Sequence, residues 1–494
     1  MKFNRGSGKG RTTESSNLNE NMFKETFQSC LDVVFTSLNF HGNDVTFIYC
    51  AGLIDNVMLY NTVPARLDEY FQLPLEDRKD RSSITKLQLP SVKPIETLEQ
   101  AEVEVFSGKL LILFKADNTV LSVDISKKPQ RKPEETTLEI SFKGPRDNFI
   151  EDIMTNLALI RKRLPTTSFV CENFEVGRRT KTKVFLLYIN DVANKEVLKY
   201  IRRKIDSIDI DGLYSSTQLE ELIDENFISI FPRYTSTGRP DYSVQALLNG
   251  RFVILIDGVS HALITPVNLF FLLKTAEDTE TGFFYNSFER LIRLVAVAIA
   301  VLLPAFWVAL TSFHQNQIPF TLLATIVEAR KGVPLPTALE AILMLLLFEM
   351  FKEAGMRLPL SIGQTFSVIG GLIIGDAAIR AGLTSPAMLV IIAASTIATF
   401  TLVNQTLTGV VSLIRIFMII TASLFGFLGL FVSLYFLAII IGRVHSFGVP
   451  YLQVASRLSI KNIFKSIFKV PEKTNKSRPS SLRPSDQTKK GGST

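Results

Sequence analysis

The chain has 494 residues, of which 47% are hydrophobic and 20% are charged, and its formal net charge is +7. These averages are typical of a soluble protein, but they conceal three parts of very different composition. The sequence is charged and mixed up to about residue 289, strongly apolar over 291–441, and basic from residue 442 onward. This order excludes a purely soluble protein and predicts a soluble domain, a membrane domain and a tail.

The amino-terminal part is predicted to be an α/β soluble domain made of two mixed α/β subdomains, residues 23–132 and 133–275. The two prolines between 127 and 135 mark the boundary between them. Residues 1–22 are polar and lack the apolar core of a signal peptide. We therefore expect a disordered N-terminus that is not cleaved as a signal sequence.

Strands and helices are predicted to alternate through both subdomains, which is the pattern of an α/β architecture. Apolar residues at helical spacing predict a first helix over 22–35. Apolar runs bounded by turn residues predict strands over 45–54, 107–125 (two strands), 183–189 and 251–256.

No motif in this part indicates catalysis or ligand binding. Cys30, Cys50 and Cys171 lack metal-ligand spacing, and we expect reduced, buried thiols. The four histidines are scattered, and no glycine-rich nucleotide loop or nucleophile elbow is present. We therefore predict no catalytic residue, no metal and no cofactor. Four basic residues are expected to form a solvated face, an interaction surface, or pairs with nearby acids: Arg146, Arg161, Lys162 and Arg163.

The apolar part is predicted to be an α-helical polytopic membrane domain over 294–441, preceded by a connector over 276–293. Pro304 is expected to kink the first span. About four spans are predicted, at 294–313, 360–379, 386–402 and 416–441. Residues 318–357 carry too many acidic side chains for a lipid-facing helix, so this region is predicted to be interfacial or re-entrant.

The stretch over 359–413 contains residues that are unusual in a lipid-facing helix. Asp376 and Arg380 are its only charged residues. Asp376 is either a functional group or half of an intrahelical pair with Arg380 that reaches the interface. Small residues allow helices to pack closely, and the candidates for such packing are Gly363, Gly370, Gly371 and Gly375.

The tail over 442–494 is strongly basic, with eleven Lys or Arg residues against two acidic ones. A basic segment beside a membrane span predicts a cytoplasmic location. Its position favours contact with a lipid surface over contact with nucleic acid. With four spans, the soluble domain would also be cytoplasmic.

Several segments together carry a specific resemblance. They are GPRDNFIEDIMTNLALIRKRL (144–164), FPRYTSTGRPDYSVQALLNGRFVILIDG (231–258), PLPTALEAILMLLLFEMFKEAGMRLP (334–359) and SIGQTFSVIGGLIIGDAAIRAGLTSPAMLVIIAASTIATF (361–400). Over roughly residues 23–451 the chain resembles the A subunits of bacterial spore germinant receptors, the GerA family. Residues 235–238 depart from the compact form of the family by a longer, more polar loop.

The resemblance implies a subunit of the spore inner membrane that responds to small nutrients. It implies two partners: a transporter-like B subunit thought to bind the germinant, and a lipoprotein C subunit. It also implies a homo-oligomer that forms a germinant-gated path for monovalent cations. Acidic linings favour cations, and our candidates for the lining are Glu340, Glu349, Asp376, Asn404 and Gln405. Each could instead be a helix-packing or interfacial residue.

Other functions stay open at this point. A secondary transporter acting alone is one, although no inverted repeat is visible in the membrane part. A non-conducting scaffold subunit of the receptor is another. A membrane-anchored enzyme is the least favoured, because no catalytic motif is present.

Overall fold

The computed structural model describes residues 18–73, 87–127, 144–224, 229–357, 375–402, 404–452, 468–471 and 473–489. The chain forms two compact units. The α/β unit contains residues 1–225, 236–266 and 476–494. The helical unit contains residues 226–235 and 267–475.

The first half of the α/β unit is a five-stranded antiparallel sheet with helices on both faces. Its strands are β1 (Val33–Phe40), β2 (Asn43–Cys50), β3 (Lys93–Pro94), β4 (Leu110–Phe114) and β5 (Thr119–Val123). Its helices are α1 (Glu20–Thr26), α2 (Val63–Gln72) and α3 (Leu98–Phe106). The strand order is β1-β2-β4-β5-β3.

Side-chain alternation along β2 explains why helices cover both faces of the sheet. Phe47 and Tyr49 point to the face covered by α2, whereas Ile48 and Cys50 point to the face covered by α1 and α3. Successive residues of a strand face opposite sides of a sheet. A strand with apolar residues on both of its faces therefore requires helices on both sides of the sheet.

The second half repeats this arrangement. Its helices are α4 (Ile153–Arg161), α5 (Lys195–Asp206), α6 (Ser216–Ile223) and α7 (Pro240–Leu248). Its strands are β6 (Phe169–Val176), β7 (Thr182–Ile189), β8 (Thr235–Thr237), β9 (Phe252–Ile256) and β10 (Ala262–Thr265). The order β6-β7-β9-β10-β8 is that of the first sheet, strand for strand.

One local sequence marks the repeat. Gly108 and Gly250 occupy equivalent turns between a helix and a strand, both with φ of +88°. A residue with a Cβ rarely adopts this conformation. Each glycine is followed by a basic residue and then an apolar strand, Lys-Leu-Leu-Ile-Leu in the first half and Arg-Phe-Val-Ile-Leu in the second.

A buried ion pair joins the two halves. Arg161, at the end of α4, is 0% exposed and donates to both carboxylate oxygens of Asp32 at 2.6 Å. The guanidinium lies between the rings of Phe106 and Phe169, at 4.5 and 4.4 Å. Burial opposes the charge, but Asp32 outweighs it and raises the pKa of Arg161. Arg161 therefore keeps its charge inside the unit, opposite the carboxylate of Asp32.

Most of the predicted strands are confirmed, and the first helix is wrong in extent. Strands overlap the predicted ranges 45–54, 107–125, 183–189 and 251–256, with β2 and β7 starting one or two residues earlier than predicted. Helix α1 ends at Thr26, and the predicted helical segment continues as strand from Val33. The β-branched residues there favour extended backbone, and eight residues of β1 pair with β2.

The helical unit is built from helices of very different length. They are α8 (Leu269–Leu272), α9 (Phe283–Phe313), α10 (Phe320–Ala329), α11 (Thr337–Arg357), α12 (Gly375–Arg380), α13 (Pro386–Phe400) and α14 (Gln405–Arg443). A short hairpin, β11 (His445–Ser446) and β12 (Val449–Pro450), follows. Among the described residues, α9 and α14 are long and apolar enough to cross a membrane, and α10 and α13 are shorter apolar helices. The span predicted over 360–379 lies mostly outside the described residues.

Helix α14 is a hairpin, which corrects the single span predicted over 416–441. Gly426 has φ of +61° and ψ of −138°, outside the helical region. The Ser433 hydroxyl lies 2.8 Å from the Met418 sulfur, although fifteen residues of straight helix would separate them by about 22 Å. The chain therefore folds back into two arms, 405–425 and 427–443, of about 31 and 25 Å. Each length is close to the roughly 30 Å hydrocarbon core of a bilayer.

The hairpin returns the chain to the side on which α9 begins. The end of α9 lies at the turn, since a Cβ at Gly426 would be 3.0 Å from Phe313. At the other end, the amide of Val267 donates to Ser446 Oγ at 3.3 Å, just after the second arm. A single span would have left these ends on opposite sides.

We predict that Arg161→Ala destabilises the α/β unit severely. Removing one partner of a buried pair typically costs about 3–5 kcal/mol, because the remaining charge is left uncompensated. The matched control is Arg178→Ala, whose pair with Asp209 is 71% and 64% exposed. Solvent screens such a pair, so its loss should change the stability little. Urea unfolding of the detergent-solubilised chain, followed by hydrogen exchange in β2 and β7, measures both. Equal losses in the two variants would contradict the role of Arg161.

The hairpin predicts a labelling pattern in membranes. Single cysteines replacing Thr406 and Arg443, at the two ends of α14, should react with an impermeant thiol reagent from the same side. A cysteine replacing Phe425, beside the turn, should react from the other side. Reaction of the two end positions from opposite sides would restore a single span.

Candidate functional site

A chain of polar side chains crosses the helical unit and joins four helices. We call Glu349, Ser395, Arg415 and the carbonyl of Ala300 the Arg415 network. Arg415, on α14, is 1% exposed and donates to Glu349 Oε1 on α11 at 3.0 Å and to Ser395 Oγ on α13 at 2.9 Å. Ser395 Oγ donates in turn to the Ala300 carbonyl on α9 at 2.8 Å. A buried guanidinium needs a counter-charge and acceptors, and this network supplies them.

Pro304 determines where the network meets α9. Proline has no N–H, so the carbonyl four residues earlier, that of Ala300, lacks its usual helical partner. The Ser395 hydroxyl supplies the missing donor from the neighbouring helix. Helices in lipid tolerate proline when a neighbour satisfies the freed carbonyl in this way.

Glu349 lies at the edge of the network. Its side chain is 30% exposed, whereas that of Arg415 is 1% exposed. Ser412 donates to the same carboxylate oxygen as Arg415, and Lys352 lies 3.5 Å from the other oxygen. One side of the carboxylate therefore faces the buried arginine and the other faces a partly exposed lysine. This placement is compatible with a lining residue.

Glu340 is enclosed and holds a helix end. Its side chain is 0% exposed, and Oε1 accepts from the Ser385 amide at 2.6 Å, the Ser385 hydroxyl at 2.7 Å and Thr384 Oγ1 at 3.0 Å. Ser385 is the N-cap of α13, so the carboxylate lies where the helix dipole favours negative charge. Arg330 lies 3.7 Å from Oε2. These contacts favour the helix-packing alternative for Glu340.

A third charged cluster lies at the start of α9. Asp278 is 3% exposed and accepts from Arg290 and Arg293, each at 2.9 Å. Burial on its own would raise the pKa of Asp278, but the two guanidiniums outweigh burial and hold that pKa below its ordinary value. The two arginines in the first turns of α9 thus have a fixed counter-charge.

The remaining candidates lie apart from the network. Asp376 is 57% exposed and pairs with Arg380 at 2.7 Å, four residues away on α12. Asn404 is the N-cap of α14, and the side chain of Gln405 lies outside the described part. Gly375 begins α12, and a Cβ there would meet a Leu389 methyl at 3.4 Å, so the packing against α13 is close. Gly363, Gly370 and Gly371 lie outside the described residues.

The sequence reasoning missed Arg415 and Ser395. Arg415 directly precedes the span predicted over 416–441, but it lies inside the first arm of α14 and is buried. A detectable signal existed, because an arginine followed by 27 residues without another charge is rarely left unpaired in lipid. Ser395 has no such signal, since only the packing of α13 against α9 gives it a partner.

One arrangement in the α/β unit is relevant to the enzyme alternative. Ser216 Oγ lies 2.7 Å from His261 Nε2, and burial lowers the pKa of His261. A serine nucleophile also needs a group that orients the other ring nitrogen. Among the residues that the structure describes, none forms a hydrogen bond with that nitrogen of His261. The same part of the chain contains no cluster of acidic, His or Cys side chains suited to a metal.

Comparison with known proteins gives matches along nearly the whole chain. Residues 21–481 match the family described as Bacillus/Clostridium GerA spore germination protein. The chain is 40% identical to spore germination protein XA of Bacillus anthracis, over 97% of this chain and 98% of that protein. It is 32% identical to spore germination protein KA of Bacillus subtilis strain 168, over 95% and 87% respectively.

A solved structure also matches. It is the crystal structure of the N-terminal domain of the A subunit of the Bacillus megaterium spore germinant receptor GerK3, with 27% identity and a TM-score of 0.39, over 50% of this chain and 92% of that chain. The family match and the full-length relatives confirm the resemblance carried by the quoted segments. The chain belongs to the GerA family of spore germination proteins.

Proposed function

We propose that this chain is the A subunit of a nutrient germinant receptor that triggers spore germination. It acts with a transporter-like B subunit and a lipoprotein C subunit in the spore inner membrane. As a homo-oligomer, it forms a germinant-gated path for monovalent cations. The observation that carries the conducting role is the Arg415 network, a charged chain across otherwise apolar helices whose outer carboxylate, Glu349, is 30% exposed.

The topology of the helical unit supports the proposed location. The hairpin of α14 brings Arg443 back to the side where α9 begins, and the basic tail follows directly. Basic residues next to a span favour the cytoplasmic side. We therefore place the α/β unit and the tail in the cytoplasm. The domain limits given from the sequence stay predictions.

A non-conducting scaffold is the second candidate. Two carboxylates of α11, one enclosed and one partly exposed, already have arginine partners: Glu340 lies beside Arg330, and Glu349 pairs with Arg415. A carboxylate whose charge is balanced by an arginine of a neighbouring segment stabilises helix packing and does not attract a cation. The two candidates differ in whether cations move through this subunit.

Cation release distinguishes them. In spores that contain the B and C partners, germinant should trigger release of monovalent cations, and Glu349→Ala should change the rate severalfold because it alters the charge at the edge of the network. Asp376→Ala is the matched control, since this carboxylate is 57% exposed in an intrahelical pair. We expect that control to stay near the unaltered rate. Protein levels are compared by immunoblot.

The outcomes separate the candidates. Unchanged release in Glu349→Ala, at normal protein level, would remove Glu349 as a lining residue. No germinant-dependent release in a verified complex would contradict the channel and favour the scaffold. Movement of a labelled nutrient across a membrane that contains this subunit without its partners would favour a transporter.

The network also predicts an energetic coupling. In a double-mutant cycle, Glu349→Gln and Arg415→Gln should show an interaction of at least about 1 kcal/mol, because the two side chains form one hydrogen-bonded pair whose arginine is buried. The same cycle on Asp376 and Arg380 should give no more than about 0.5 kcal/mol, as expected for an exposed i,i+4 pair. Thermal unfolding in detergent measures both cycles. Equal couplings would contradict the importance of the pair that contains the buried arginine.

A further inference from the structure

The carboxylate of Glu349 meets two cations of its own chain. Arg415 Nη2 lies 3.0 Å from Oε1, and Lys352 Nζ lies 3.5 Å from Oε2. One negative charge therefore faces two positive charges, and the local sum is positive. Acidic side chains favour cations in a conducting path through their negative potential. A cation that approaches the exposed side of Glu349 meets a positive charge instead.

Of the two cations, Arg415 is fixed in its place. Its Nη1 group donates to Ser395 Oγ at 2.9 Å and to Thr399 Oγ1 at 3.5 Å. Its Nη2 group donates to Ser412 Oγ at 3.3 Å as well as to Glu349. The side chain is 1% exposed, so moving it would leave a buried charge without acceptors, which is strongly unfavourable. Arg415 is thus a constant part of the network.

Lys352 is held more loosely than Arg415. Its ammonium lies 3.5 Å from Glu349 Oε2, beyond the about 2.7–3.2 Å of an ordinary hydrogen bond. Within the described part of the chain, this ammonium forms no hydrogen bond. The side chain is 25% exposed, and lysine carries its charge on a flexible stem that water solvates well. Lys352 can therefore leave the carboxylate without breaking a buried contact.

We propose that Lys352 is a tethered cation that occupies the outer oxygen of Glu349 and keeps monovalent cations away from it, so that its withdrawal opens the path at this residue. The inference rests on the proposed function, because it concerns the regulation of the same carboxylate. Withdrawal of Lys352 changes the local charge from positive to neutral and frees Oε2 on the exposed side. Repulsion of a passing cation then ends, and a carboxylate oxygen is available to it.

Neutralising this lysine tests the proposal. Membrane vesicles hold the full chain with its B and C partners, are loaded with potassium, and are followed before and after germinant is added. In Lys352→Gln we expect potassium release before germinant to rise severalfold, because the tethered charge is gone. Lys331→Gln is the matched control, since Lys331 forms the same i,i+3 pair with Glu328 at 68% and 69% exposure. Its release should equal that of the unaltered chain.

Two further variants separate the charge of Lys352 from its packing. Lys352→Arg keeps the charge and should be far less leaky than Lys352→Gln. In a chain that already carries Glu349→Gln, Lys352→Gln should add no release, because the carboxylate that Lys352 occupies is gone. A purely structural lysine would give the same effect with and without Glu349.

The outcomes distinguish this inference from the proposed function. If the unaltered chain shows germinant-dependent release but Lys352→Gln does not leak, the inference is overturned and the proposed function stands. A leak that persists in the Glu349→Gln chain also overturns the inference. Absence of germinant-dependent release from the unaltered complex would contradict the proposed function and, with it, the inference.

A chemical variant replaces Lys352→Gln if that chain does not accumulate. In Lys352→Cys, a thiol reagent that adds an ammonium group should stop the leak, whereas one that adds a neutral group of similar size should not. Equal leaks after both reagents would overturn the role of the charge. The native cysteines are buried, so the unaltered chain treated with each reagent is the control.

Discussion

A buried arginine keeps its charge, and each unit of this protein is assembled around one. Arg161 is held by Asp32 between two aromatic rings where the halves of the α/β unit meet. Arg415 is held by Glu349 and Ser395 where four helices meet. Because a guanidinium is not neutralised at any physiological pH, the surrounding elements must supply a carboxylate and further acceptors. Elements that are far apart in sequence are thereby fixed in place.

Breaks in regular helix are used as structural features in the helical unit. Pro304 leaves the Ala300 carbonyl without a helical donor, and Ser395 uses that carbonyl to complete the Arg415 network. Gly426 reverses α14, so that one apolar run becomes two arms. In lipid, a freed backbone group must find a partner. The positions of the proline and the glycine therefore influence which helices become neighbours.

The α/β unit is a duplicated fold with an added chain end. Both halves share one strand order and the same glycine turn before a central strand. The second half differs because residues 476–489 pack on its β7–α5 loop. The duplication explains the architecture, and the contacts with residues 476–489 distinguish the second half from the first.

The sequence by itself determined the division into a soluble and a membrane part, most strand positions and the family. These features depend on local composition, periodicity and motifs. The predicted strands are those that overlap 45–54, 107–125, 183–189 and 251–256. The helix over 22–35 was misjudged, since pairing of β1 with β2 overrode a helical spacing of apolar residues. The single span over 416–441 was misjudged, since hydropathy does not reveal a reversal at one glycine. Only the tertiary structure decided that Glu340 is enclosed, that Glu349 meets Arg415, and that the chain end docks on Asn194. Each of these contacts joins residues that are distant in sequence, and no local pattern encodes which distant partner satisfies a buried charge or carbonyl.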